Sequence, residues 1–303
     1  MTPVQEKQVR LSIVIAAWNN SSSLRQCLDS LAGKADSADT EVIVVSNYDG
    51  GTREMVEKQF PSVKYFFLSG DATVPELRTK GIYCAGGEIV ALLEDHCTFD
   101  ENWCAEIKKA HELPYSIIGG SVENASRERP LDWAVYFYDY GKYMLPNQAG
   151  VVDSLSGINV SYKRSVLDEV KQSFQQGFME TFINEELKKQ GEVLYLAPAA
   201  IVYHQKHYEM KAAFTQSYRY GRSFGGMRAL NIGFWQRIGL ILGSLTLPVL
   251  LPSRIALRTV KKGRYLKELL RCLPHLLLLM TSWSYGELCG YVGGEVTDSS
   301  RRV

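Results

Sequence analysis

The chain has 303 residues, with 34 Lys and Arg against 33 Asp and Glu, and 46% of it is hydrophobic. That length accommodates one large domain or a domain with an appendage, and that apolar content excludes a disordered chain. With 25 Gly and 10 Pro, collagen-like and low-complexity classes are excluded as well.

Charge is unevenly placed. Residues 237–303 carry ten basic and four acidic side chains, a net +6, whereas the first 236 carry 24 basic and 29 acidic, a net −5. A basic, apolar tail on a mildly acidic body points to an anionic surface as the tail's partner and away from a nucleic-acid groove. The six cysteines show no C-x-x-C and no framework spacing, and MTPVQEKQVR lacks the apolar stretch of a signal peptide. The body is therefore expected to be reduced and cytosolic.

In chain order, LSIVIAAW (11–18) reads as a strand, and a serine among 21–23 can cap the amphipathic LRQCLDSLAG that follows. EVIVVSN (41–47) is a second strand with helix-like TREMVEKQF after it, and VKYFFL (63–68) is a third. VPELRTKGIYCAGG reads as a helix, and EIVALLED (88–95) as a fourth strand ending in two acids. Four β-then-α units predict an α/β fold with a doubly wound, mostly parallel sheet, whose ligands bind beyond the carboxyl ends of the strands. From about residue 112 a mixed region follows, holding IIGGSVEN, LDWAVYFYDYGKY and SLSGINVSYKRSVLDEV. GFMETFINEELKKQG is expected to be helical from about Glu180, and EVLYLAPAAIVYH to be a strand.

The strand ends carry Trp18-Asn19-Asn20, Ser46-Asn47 and Glu94-Asp95-His96, and neither G-x-G-x-x-G nor G-x-x-x-x-G-K-[ST] occurs. Dinucleotide and P-loop readings lose their main support. Two carboxylates and an imidazole leaving a sheet at one edge suit a divalent metal or a metal-bound phosphate, although the same triplet also reads as a helix cap or turn. Trp133, Tyr136, Phe137 and Tyr140 recur at helical spacing, as a core stripe or as a platform for sugar rings.

Taken together and in order, these segments resemble the family 2 glycosyltransferases. SIVIAAWNN resembles their opening strand, EVIVVSNYDGGT their second strand and acidic loop, and LRTKGIYCAGGEIVALLEDH the block ending in the DXD metal motif. SGINVSYKRSVLDEV resembles their G-x-N-x-x-x-R-R segment, and GFMETFINEELKKQGEVLYLAPAAIVYH the stretch with the E-D dipeptide. The resemblance spans roughly residues 11 to 226. It implies a GT-A fold, a nucleoside-diphosphate sugar donor with a lean toward UDP, a divalent metal (Mn²⁺ or Mg²⁺), inversion at the anomeric carbon, and a glycan or lipid-linked acceptor.

Carried over residue by residue, the resemblance puts Ala17, Asn19, Asn47, Arg78 and Glu94 on the donor side. Asp95, His96 and His204 fall at the metal, and Glu180 is the catalytic base. Asn47 stands where an acid is usual, Met179 replaces the first residue of E-D, and His96 replaces the last acid of DXD. Imidazole suits Mn²⁺ better than Mg²⁺. These departures keep a catalytically silent nucleotide-sugar binder or scaffold as the alternative. A sugar nucleotidyltransferase would need a Gly-rich basic loop that Trp18-Asn19-Asn20 does not supply. Arg219, Arg222 and Arg228 lie in a segment resembling Y-G-R, open to phosphate contact.

The tail holds two uncharged segments, 238–253 and 272–286, each short of the ~20 residues a spanning helix needs. Seven basic residues and one acid lie between them. Spanning by both would set that basic linker against the positive-inside tendency, so interfacial or re-entrant helices are expected on the cytoplasmic face of a membrane, with 237–290 as the contact. Two buried helices of a soluble domain or dimer interface are the other reading. The expected division is a GT-A domain over 1–230 and a membrane-associating region over 231–303.

Overall fold

The computed structural model describes residues 9–18, 21–35, 39–69, 71–229 and 232–293. They fall in two compact units, one drawn from 1–123 and 143–205, the other from 124–142 and 206–303. The chain opens with β1 (Leu11–Ala17), α1 (Ser21–Leu31), β2 (Thr40–Ser46), α2 (Thr52–Gln59), β3 (Lys64–Phe67), α3 (Val74–Cys84) and β4 (Ile89–Glu94). Next come β5 (Cys97–Phe99), α4 (Trp103–Ala110) and β6 (Ile117–Asn124). It contributes α5 (Pro130–Asp139) to the second unit and returns as β7 (Gly150–Val152), β8 (Val160–Lys163), α6 (Arg164–Glu169), α7 (Glu180–Lys189) and β9 (Leu194–His204). Four helices follow, α8 (Met210–Ala229), α9 (Phe234–Ser244), α10 (Leu247–Lys262) and α11 (Leu266–Gly293).

Among the described residues, nine strands form one sheet in the order β3-β2-β1-β4-β8-β6-β9-β5, with β7 paired to β9. The first four are parallel, joined by helices, and β1, β2 and β4 are buried apolar runs, as strands covered on both faces must be. At β8 the direction reverses, and β4–β8, β6–β8, β7–β9 and β5–β9 all pair antiparallel. The sheet is thus mixed: the four βα units expected from the sequence make one half, and the segment from 112 onward makes the other. Register aligns Ala17 with Ser46 and Ala16 with Glu94, which brings the carboxyl ends of β1, β2 and β4 to one edge.

In the second unit α5 packs on α11, and Trp133, Tyr136 and Phe137 are buried there. The aromatic stripe is core, not an open sugar platform. α8 and α11 approach at backbone distance: a Cβ on Gly221 or Gly225 would overlap the carbonyl oxygens of Trp283 or Glu287, and one on Gly286 or Gly290 those of Tyr218 or Arg222. This contact ties 206–229 to the C-terminal helices, so the compact units part at 205, where the sequence placed a division at 230. α10 has three faces. Pro252, Ile255 and Thr259 are buried, while Val249, Leu250, Leu257 and Val260 form an exposed apolar stripe. At 100° per residue, Arg254, Arg258 and Lys261 fall along the flank of that stripe. Phe234 and Trp235, 69% and 80% exposed, open α9. Among the described residues no single helix is long and apolar enough to cross a membrane; α9 and α10, bent by 67°, meet that requirement only as a pair.

Candidate active site

Three features of the first unit bring the predicted residues together. The apolar run of β4, held between β1 and β8, delivers Glu94, and the Asp95 N–H extends the ladder by donating to the Ala16 carbonyl at 3.2 Å. The chain then reverses through His96 into β5, whose Cys97 pairs with His204 at the end of β9. The two imidazoles meet edge to face, centroids 4.8 Å apart. α3 is started by Pro75 and by Glu76, which reaches back to the Thr73 N–H at 2.7 Å. One turn on, Arg78 lies on the buried side of this helix, which packs on β1 and β2.

The loop before α7 is fastened to the same helix, since the Phe178 N–H donates to the Pro75 carbonyl (2.9 Å) and the Thr79 hydroxyl to the Phe174 carbonyl (3.1 Å). Glu180 follows as the first residue of α7, where the helix N-terminus favours an anion. Arg78 joins the two sides. Its Nη1 donates to Glu180 Oε2 at 2.6 Å, and its Nη2 to Glu94 Oε1 at 2.7 Å and to the Gly157 carbonyl at 3.0 Å. The Arg78 side chain is 6% exposed, those of Glu94 and Glu180 21% and 26%. Burial pulls the guanidinium down, but the flanking Glu180 and Glu94 carboxylates outweigh it and hold Arg78 above its ordinary value. Tyr162, whose hydroxyl donates to Asn184 Oδ1 at 2.9 Å, is pushed up by burial and then by the Glu180 charge.

On the other side of Glu94, His96 Nε2 lies 3.5 Å from Glu94 Oε2, and His96 Nδ1 lies 3.5 Å from Asp95 Oδ1. Asp95 Oδ2 accepts the Trp18 N–H at 3.2 Å. Among the described residues, two buried nitrogens here have no hydrogen-bond partner, His96 Nε2 and Arg78 Nε. Glu94, Asp95 and Glu180 against Arg78 leave two formal negative charges. An orphaned imidazole nitrogen beside carboxylates in excess fits a divalent cation in kind. In number it falls short: among the described residues no group of three or more His, Cys, Asp or Glu is gathered to hold a metal alone. The remaining ligands would be oxygens that a phosphorylated substrate brings.

Ala17 is buried at the end of β1, and its carbonyl accepts the Asn47 N–H at 3.3 Å. Asn47 is buried as well, with Nδ2 donating to the Ala72 carbonyl at 2.9 Å. Asn19 lies outside the described residues. Near these strand ends Trp18 and Tyr48 are exposed. His207 and the Y-G-R-like arginines belong to the second unit, where His207 Nδ1 is 2.7 Å from the buried Asp132 and Arg228 donates to the Tyr291 hydroxyl at 3.1 Å.

Sequence reasoning missed Gly157 as an individual residue: a Cβ there would stand 2.5 Å from Glu180 Cδ, so the carboxylate fits only because this position has no side chain. The signal was present in SGIN. The Asn159 of that segment is a brace, donating to the Ser121 and Ala200 carbonyls at 2.9 Å and accepting from Trp103 Nε1 at 3.0 Å.

No curated protein matches the chain in sequence. Among solved structures it resembles a mannosyltransferase, PcManGT from Pyrobaculum calidifontis, determined with GDP-Man and Mn²⁺. The TM-score is 0.52 and the identity 14%, over 94% of this chain and 85% of that one. It also resembles GalNAc-T7, determined with UDP, GalNAc and Mn²⁺, with TM-score 0.50 and 15% identity, over 68% of this chain and 45% of that one. At such identity the likeness speaks for the fold, which is of the GT-A type. Residues 12–171, more than half of the chain, match the profile of Glycosyl transferase family 2, and they include the strand ends, Arg78 and the Glu94-Asp95-His96 edge. The chain belongs to that family and is a glycosyltransferase.

Proposed function

We propose that this glycosyltransferase moves a sugar from a nucleoside-diphosphate donor, with UDP favoured, to a hydroxyl of a glycan or lipid-linked acceptor by a single displacement with inversion. The observation that carries the reading is the Arg78 fork, which holds a carboxylate of the expected metal edge and the expected base on one side chain. Glu180 accepts the acceptor proton as that oxygen attacks the anomeric carbon, while the diphosphate leaves on the Glu94-Asp95-His96 side. Asp95, His96 and His204, with Glu94, would hold the divalent metal, which when bound neutralises charge gathering on the departing diphosphate. Arg78 and Glu94 fix the spacing between the two ends of the reaction.

Trp18 and Tyr48, exposed beside Ala17 and Asn47, supply aromatic surface on which a nucleobase could stack. The two similar structures hold different nucleotides, GDP-Man and UDP, so the preference for UDP rests on the sequence resemblance. Glu180→Gln is expected to abolish transfer while donor binding persists. Retained turnover would remove Glu180 from its role. Donor hydrolysis by the purified protein with Mn²⁺ separates an enzyme from a silent binder, which gives none.

We also propose that the second unit rests on the anionic, cytoplasmic face of a membrane. What supports this is the pattern on α10, an exposed apolar stripe flanked by Arg254, Arg258 and Lys261, together with the exposed Phe234 and Trp235. Sedimentation of the full chain with vesicles containing phosphatidylserine, and not with phosphatidylcholine alone, is the expected result.

A further inference from the structure

Two carboxylates with different tasks share one guanidinium, and that sharing has an energetic consequence. Arg78 has a single positive charge, and both of its terminal nitrogens are committed, one to Glu180 and one to Glu94. A cation arriving at Glu94 therefore competes with Arg78 for the same carboxylate. How strongly Arg78 resists depends on Glu180, which draws the guanidinium the other way and offsets its charge. The line is continuous, from Glu180 through Arg78 to Glu94 and on to the unpartnered His96 Nε2.

We propose that Arg78 is a positioning residue that couples the two ends of the site, so that divalent-cation affinity at Glu94-Asp95-His96 depends on Glu180, a residue at the other end of the Arg78 fork. The proposal rests on reading that triplet as the cation side. Its direction is fixed by the charges. Without the Glu180 charge, Arg78 falls fully on Glu94 and opposes the cation. Without Arg78, the cation meets no competing positive charge at Glu94 and binds more tightly. Coupling is reciprocal, so a bound cation loosens Arg78 from Glu94 and tightens its grip on Glu180, steadying the base when the donor side is filled.

The test is Mn²⁺ binding by the full chain at a fixed, saturating concentration of UDP, whose oxygens supply the ligands the protein lacks, read from the electron paramagnetic resonance signal of the free ion against a protein-free Mn²⁺–UDP control. Arg78→Met is expected to bind Mn²⁺ about tenfold more tightly than the parent while losing turnover, and Glu180→Gln about tenfold more weakly. A purely structural arginine would weaken both properties. Arg78→Lys keeps the charge but loses the fork, because one ammonium cannot serve two carboxylates as a planar guanidinium does. In that background Glu180→Gln is expected to leave Mn²⁺ affinity unchanged.

Gly157→Ala, which displaces Glu180 without removing its charge, is expected to weaken Mn²⁺ binding in the parent. This separates coupling through Arg78 from attraction through space. If Arg78→Met does not fold, the Arg78→Lys pair and Gly157→Ala decide the matter. Equal Mn²⁺ affinity in the parent and Glu180→Gln, an equal loss in the Arg78→Lys background, or no Mn²⁺ binding by any form would each overturn the proposal. Retained turnover in Glu180→Gln with the affinity shift present would instead remove the base and leave the coupling.

Discussion

Gly157→Ala is the smallest change that tests whether Glu180 must sit where the structure puts it. Gly157 is not among the described glycines with positive φ, so alanine is compatible with the backbone and the effect must come from the side chain. The new methyl would stand 2.5 Å from Glu180 Cδ, whereas carbon atoms pack at about 3.5 Å, so the carboxylate must retreat by about 1 Å. A retreat of that size is expected to stretch or break the 2.6 Å contact between Oε2 and Arg78 Nη1. Loss of that charge-assisted bond costs about 1–2 kcal/mol, at the lower end because Glu180 is partly exposed. A misplacement of about 1 Å at a reacting group costs about 100-fold in rate. Steady-state transfer at saturating donor, acceptor and Mn²⁺ is expected to show that fall in kcat, with donor binding by calorimetry at saturating Mn²⁺ little changed and a modest drop in Tm. Wild-type kcat in a folded Gly157→Ala protein would refute both the seat and the role given to the carboxylate within it.

Other perturbations follow from the same contacts. Asp95→Asn is expected to weaken donor binding in the presence of Mn²⁺ and to leave Mn²⁺-independent binding unchanged, as a calorimetric titration with and without the ion will show. Gly225→Leu in α8 drives a side chain into the α11 backbone, which cannot yield as a flexible side chain can. A loss of about 3 kcal/mol or more is expected in denaturant unfolding, against a near-neutral change for the open Gly239. Replacing Arg254, Arg258 and Lys261 together by Ala removes about 1 kcal/mol each of attraction to anionic lipid, near 100-fold in vesicle partitioning, and high salt should mimic it. Burial, then the charges of Lys163 and Arg10, lowers His111 to about 3. Because the unfolded chain protonates first, stability should fall as pH drops from about 6.5 toward 3, by at most about 1.4 kcal/mol per unit. A His111→Gln melting profile should be flatter over that range.

The strands that could be read from the sequence are the buried β1, β2 and β4, the more exposed β3, and β9, whose eleven residues are long enough to mark. β1, β2 and β4 are mostly apolar runs closed by polar residues, with the buried Ser12 of β1 donating to Glu41 of β2 at 2.5 Å, and each carries its chemistry at the point where the run stops. β6 hides itself. IIGGSVEN holds two glycines and three polar residues, yet the whole strand is buried, because the Asn159 amide supplies the Ser121 and Ala200 carbonyls with partners that no hydrophobic pattern announces. β7 and β8, three and four residues long, are too short for periodicity to mark. In the site, the identities of Arg78, Glu94 and Glu180 could be picked out one by one, but nothing in a linear sequence says that one guanidinium grips both acids across 102 and 16 residues. The grip depends on the Phe178–Pro75 hydrogen bond and on the bare position at Gly157, and both are long-range facts.

His96 in place of an acid makes physical sense once Arg78 is included. A third acid at that edge would raise the local excess of negative charge from two to three, and the guanidinium would be drawn further toward Glu94 and away from Glu180. An imidazole keeps a ligating nitrogen without adding a third carboxylate to that pull. On the proposed reading, His96→Asp should therefore strengthen cation binding but slow transfer, since Arg78 would hold Glu180 less firmly. Greater affinity with lower kcat is the signature of a charge balance set for the base as well as for the metal.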